Sequence, residues 1–123
     1  MGKPWVKPEI EHGKWTKYLY AVWHPENLKL GDHVDIGAGT IILAHNGVTI
    51  EDGVQIGNRV GIISKSTIDG KDGPVVIKRG AKIGMGSSIM PNVTIGENAI
   101  VAAHSFVTKN VKANTVVYGV PAR

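Results

Sequence analysis

The chain contains no cysteine. That excludes a disulfide framework, a thiol nucleophile and a thiolate metal site. It also suits an intracellular, reducing location. Phe occurs once, so aliphatic side chains must do nearly all of the apolar packing. No apolar stretch approaches membrane-spanning length, and the N-terminus lacks the apolar core of a signal peptide. A cytoplasmic protein without membrane insertion is expected. Charge of one sign is also scarce: 14 Lys and Arg against 10 Asp and Glu give a net charge of +4. That balance suits an anionic small ligand. A nucleic-acid partner has only this net charge behind it, since the lysines are scattered, and none is expected.

What is present is a rhythm. From Leu30 an aliphatic residue returns at Ile36, Ile42, Ile50, Ile56, Ile62, Ile68, Ile77, Ile83, Ile89, Ile95, Val101 and Val107. Ten of the twelve steps are six residues; Ile42 to Ile50 is eight and Ile68 to Ile77 is nine. Small or β-branched residues follow four places later, as at Val34, Thr40, Val54, Val60, Ala81 and Ser87. A helix would need a period near 3.6. A period of six with one inward residue per unit is a hexapeptide β-solenoid, an all-β parallel coil. The 16 glycines serve tight corners closed to β-branched residues.

Three hexads make one triangular coil of about eighteen residues. Four to five coils give a prism roughly 20–25 Å tall. This repeat domain spans 28–123. Residues 1–27 differ in kind, holding Trp5, Trp15, Trp23, Tyr18 and Tyr20. They are read as an arm that covers the lower end, whose exposed edges would otherwise pair with other chains. Stacking on a sugar or base is the alternative role. The two breaks, at His45–Thr49 and Asp69–Pro74, are expected to bulge outward and to carry chemistry.

The stretch Ile83-Gly84 through Ile89-Met90-Pro91-Asn92-Val93-Thr94-Ile95-Gly96, then Val107-Thr108-Lys109-Asn110-Val111, then Gly119-Val120-Pro121-Ala122-Arg123, resembles the hexapeptide-repeat acetyltransferases. The similar branches are the maltose/galactoside O-acetyltransferases and the sugar-nucleotide N-acetyltransferases. The resemblance covers roughly 28–123. It implies a left-handed β-helix, a homotrimer and an acetyl-CoA site in the groove between subunits, with acetyl-CoA as co-substrate and no metal. It implies cofactor contacts at Ala102, Ala103, His104, Ser105, Thr108, Lys109 and Arg123, with Lys78, Arg79 and Lys82 as further candidates for the phosphates. Relatives often continue into a C-terminal helix. With the sequence ending at Arg123, the upper end is expected to be open, covered by another trimer or missing.

Acetyl transfer needs a base, and a neutral His suits that role. In the O-acetyltransferase branch the His falls where this chain has Thr67, and Ser64-Lys65-Ser66-Thr67 holds none. His45 is then the candidate base, acceptor contact or turn residue, with Asn46 beside it. Ser64, Lys65 and Thr67 are candidate acceptor contacts, and His45 and Lys65 should stack one coil apart. If the step after Ile68 is one corner, His104 shares a side with His45. His24 and His33 read as surface residues, and His12 in the arm is uninformative. The missing His favours an amine acceptor, so the expected reaction is N-acetylation of an amino sugar on a nucleotide. O-acetylation of a saccharide and an inactive scaffold are the alternatives. A γ-class carbonic anhydrase is disfavoured, because no two histidines lie closer than His24 and His33.

Overall fold

The inward residues of the six-residue rhythm fall on the three sides of a triangular prism. The structure is a computed structural model that describes residues 5–123; residues 1–4 of the expected arm lie outside the described residues. The fold is a left-handed parallel β-helix of about 5 turns. Face I stacks Ala21–Trp23, Ile41–Leu43, Gly61–Ile63, Ser88–Ile89 and Phe106–Val107. Face II stacks Leu28–Leu30, Val48–Ile50, Val75–Ile77 and Thr94–Ile95. Face III stacks Asp35–Ile36, Gln55–Ile56, Lys82–Ile83, Ile100–Val101 and Val116–Val117. The chain runs from face I to II to III and back.

Register puts like above like. Val22 pairs with Ile42 and Ile42 with Ile62, while Ile62 pairs with Ile89 and Ile89 with Val107. These side chains are buried, as are Ile50, Ile77 and Ile95 on face II. Each such burial stabilises by about 1.5–3 kcal/mol. Consecutive coils are joined by backbone bonds such as Gly37 N to Ile56 O and Gly57 N to Ile83 O, both 2.8 Å. Where the chain turns from face III to face I, one residue per coil is left-handed: Gly39, Arg59, Gly86 and His104. Such a residue costs about 1–2 kcal/mol when it carries a Cβ, which explains the glycines there.

Ile68 departs from the expected rhythm. It is 99% exposed and sits at the tip of an antiparallel hairpin, Lys65–Ser66 paired with Lys71–Asp72. Its six-residue spacing from Ile62 is a coincidence of loop length, and the inward series passes directly from Ile62 to Ile77. Of the two expected bulges only this one protrudes. The first is a tight turn closed by Gly47 N to Ala44 O at 3.0 Å, with Gly47 left-handed (φ 95°).

Strand pairing begins at Ala21, inside the segment assigned to the arm. The arm itself lies against the lowest coil. Trp5 Nε1 donates to Val34 O (2.9 Å) and Lys7 Nζ to Leu30 O (2.7 Å). Trp5 also stacks on His33, with ring centroids 5.8 Å apart. Carbonyls at the open edge are thereby satisfied, as burial of that edge requires. At the top, Phe106 N donates to Gly119 O and Ala122 N to Phe106 O, each at 2.9 Å. The Gly119–Arg123 ending thus covers the last strand of face I.

Candidate active site

The corner between faces I and II gathers the chemistry. His24, His45 and Lys65 rise along it on successive coils. Leu43 and Ala44 enter the turn, and Ala44 is buried, which leaves His45 half-buried at the rim. Asn27 Nδ2 donates to His45 O at 3.1 Å. The His45 ring stands 4.4 Å from that of His24, tilted by 60°. Its Nδ1 is shut off from solvent and has no hydrogen-bond partner among the described residues. Burial lowers the His45 pKa from its usual 6.5, and the neighbouring His24, Lys65 and His12 lower it further, against a smaller opposing pull from Asp72. A charged ring there would be poorly solvated and crowded by cations, so His45 is neutral at neutral pH.

A shallow hollow of about 310 Å³ opens beside this ring, lined by Glu26, Asn27, Lys29, His45, Asn46 and Gly47. It brings one carboxylate and one ammonium to the edge of a neutral imidazole. Asn46 is exposed, with its N donating to Ser64 Oγ and its Nδ2 to Ser64 O, both 2.9 Å. Its amide oxygen stays available.

Ser64 requires a correction. Its side chain is fully buried, and its hydroxyl donates to Leu43 O at 2.6 Å while accepting from Asn46 N. A hydroxyl so engaged cannot touch an acceptor; it fastens the turn that carries His45. Lys65 does lie beside His45, one coil up, as the shared offset from Ile42 and Ile62 requires. Thr67 is exposed near the hairpin tip. The base of the hairpin is bolted by Gly73 N to Ser64 O (3.0 Å) and Asn92 Nδ2 to Asp72 O (2.9 Å).

The expected cofactor residues divide between two corners. Ala102, Ala103, His104 and Ser105 form the corner between faces III and I. His104 therefore does not share a side with His45; counting Ile68 as an inward residue displaces the register by one face. Ser105 is buried, its hydroxyl donating to Ala102 O at 2.7 Å and accepting from Gly119 N at 3.2 Å. Thr108 and Lys109 are exposed on the corner of His45, three coils above it, about 14 Å away at ~4.8 Å per coil. Arg123 lies over the end of face I, its N donating to Tyr118 O at 3.0 Å. Lys78 and Arg79 sit at the corner between faces II and III, with Arg79 N on the Glu51 carboxylate (2.9 Å). Lys82 faces outward on face III. None of these three approaches His45.

His24, expected at the surface, adjoins the site, and so does His12, on which the sequence is uninformative. The register held the signal. Taking Val22 as the first inward residue places His24 beneath the His45 turn, whereas the count from Leu30 starts one face too late.

Residues 74–109 match the family described as bacterial transferase hexapeptide (six repeats). A putative serine acetyltransferase of Schizosaccharomyces pombe is 34% identical over 109 residues, covering 89% of this chain and 40% of that protein. The galactoside O-acetyltransferase of Lactococcus lactis is 34% identical, over 74% of this chain and 51% of its own. Among solved structures, a hexapeptide-repeat acetyltransferase of Vibrio cholerae complexed with acetyl coenzyme A superposes with a TM-score of 0.80 at 31% identity, over 85% of this chain and 62% of that one. The chain thus spans less than two thirds of each of these relatives. Over residues 74–109 it carries the repeat of the bacterial hexapeptide transferases, and its fold is that of hexapeptide-repeat acetyltransferases.

Proposed function

We propose that the chain transfers the acetyl group of acetyl-CoA to a hydroxyl of a small, charged acceptor, with His45 as general base. The observation that carries this reading is the neutral His45 at the edge of a hollow rimmed by Glu26 and Lys29. Opposite charges on one rim suit an acceptor bearing both an ammonium and a carboxylate, such as a hydroxy amino acid. The names of similar proteins, serine acetyltransferase and galactoside O-acetyltransferase, agree with a hydroxyl acceptor. The amino-sugar reading rested on the missing His at Thr67, and His45 supplies an imidazole one coil lower.

In the reaction the imidazole takes the hydroxyl proton as the oxygen attacks the thioester carbonyl. The tetrahedral intermediate collapses by breaking the carbon–sulfur bond, and the imidazolium returns its proton to the departing thiolate. Thr108 and Lys109 stand on the same corner at a separation that an extended pantetheine arm spans. They would hold the far end of acetyl-CoA, with Arg123 and the Ala102–His104 corner as further contacts. A homotrimer would complete the groove from a second subunit and align both substrates.

Steady-state assay with serine, galactosides and amino sugars tests the acceptor class, with thiol release as the signal. His45→Ala should lower kcat by roughly 10²–10⁴ while acetyl-CoA affinity stays within about twofold. A loss below about threefold removes His45 from the mechanism. Turnover of amino sugars alone would restore the amine reading.

A further inference from the structure

The corner beneath His45 carries more than the reaction uses. His12, His24 and His45 stack edge to face, with ring centroids 4.7 Å and 4.4 Å apart and tilts of 75° and 60°. His12 is exposed, His24 and His45 are half-buried, so the column runs from solvent into the hollow. His12, His24 and Glu26 bring possible ligand atoms within 4.8 Å of one another. A cation site is nevertheless not what is built. His12 Nδ1 accepts the His24 backbone N–H at 2.9 Å. That engages its one free lone pair and leaves the ring proton on Nε2, so neutral His12 has nothing to offer a metal.

The column is instead tied to His45. The Pro25–Asn27 turn follows His24 directly and lies between the two upper histidines in sequence. Asn27 N donates to His24 O (2.9 Å) while its side chain donates to His45 O (3.1 Å). One short turn thus fixes both backbones. The His45 ring lacks a carboxylate or carbonyl on Nδ1, the partner that usually orients a working imidazole. What stands against it is the ring of His24.

We propose that His24 is the positioning residue of His45: its ring, fixed by the same Asn27 turn and 4.4 Å from the His45 ring, sets the His45 imidazole and stands too close for both rings to carry charge readily. This rests on the reading of His45 as the base. Glu26 Oε2 lies 3.6 Å from His24 Nδ1 and helps hold the His24 ring in place. Two charged rings at this spacing repel, so the pair holds one proton more readily than two. The charged and titratable groups facing His45 are His24 and His12 below, Lys65 above, Asp72 across the hairpin, and Glu26 and Lys29 on the rim of the hollow. His24, Lys65 and His12 oppose a charge on it, and Asp72 favours one.

Imidazole NMR titration of the whole protein reads this directly, beside the pH profile of kcat/KM. His24→Phe keeps a flat ring and removes the proton site. In that variant His45 should titrate at higher pH than in the wild type, and the acid limb of kcat/KM should move up with it. His24→Ala should show the same shift and an additional loss of about tenfold in the plateau rate, because the ring is released. Thermal melts of both variants establish that they are folded. An unchanged His45 midpoint in folded His24→Phe overturns the inference. Failure of the underlying reading looks different: His45→Ala would then stay active although the NMR coupling is present.

Discussion

At the scale of single residues, the site depends on side chains that never meet a substrate. Ser64 is the example. Ser64→Ala removes the bond to Leu43 O and leaves Asn46 N without its acceptor. A loss of about 1–3 kcal/mol in urea unfolding is expected, and kcat should fall with KM for acetyl-CoA unchanged, because the His45 turn loosens. His45 adds a pH term to stability. Its folded pKa lies below the ordinary 6.5, so the unfolded chain takes up the proton first as pH falls. The stabilisation is complete above pH 6.5 and declines as pH drops below it. In His45→Gln the denaturation midpoint should therefore depend less on pH between 7 and 5 than in the wild type.

At the scale of elements, the hexad is legible because one inward residue per six is a requirement of the prism, and twelve of the thirteen residues in the series face or flank the core. Ile68 was misread because periodicity counts spacing and cannot see that residues 64–74 leave the coil. The two isoleucines test this. Ile62→Ala should cost about 2–5 kcal/mol, whereas Ile68→Ser should fall within about 0.5 kcal/mol of the wild type. Equal losses would contradict the register. Corners make a second case. A Cβ on Gly57 would come 2.7 Å from Met85 N and 3.0 Å from Met85 Cα, so Gly57→Ala should force two coils apart and cost about 1–3 kcal/mol in the same assay. The site was legible only in part. His45 and Lys65 follow from offsets along the repeat. His24 follows only once Val22 is taken as the first inward residue, and the hollow with Glu26 and Lys29 does not follow from the repeat, because it depends on the Pro25–Asn27 turn.

At the scale of the whole molecule, the coils touch only their neighbours, so the two ends carry the liability of exposed strand edges. The lower end is closed by Trp5 and Lys7, which take up the Val34 and Leu30 carbonyls. Trp5→Ala should lower the thermal midpoint and increase aggregation at high concentration, as read by light scattering. Native mass measurement with acetyl-CoA titration tests the assembly. About one equivalent bound per chain in a trimer is the expected result, and a monomer that binds with the same affinity would rule out the intersubunit groove.

The hairpin between Ser64 and Pro74 leaves the prism and returns to it at a base fixed by Ser64, Asp72, Gly73 and Asn92. Its outer part is therefore uncoupled from the stack. Residues can be gained, lost or exchanged at Ser66–Lys71 without moving Ile62 or Ile77 from their places. Changes of length or sequence can then accumulate in this one segment while the helix, and the corner along which His24, His45 and Lys65 rise, stay constant: what stacks and what protrudes are encoded in separate stretches of the same chain.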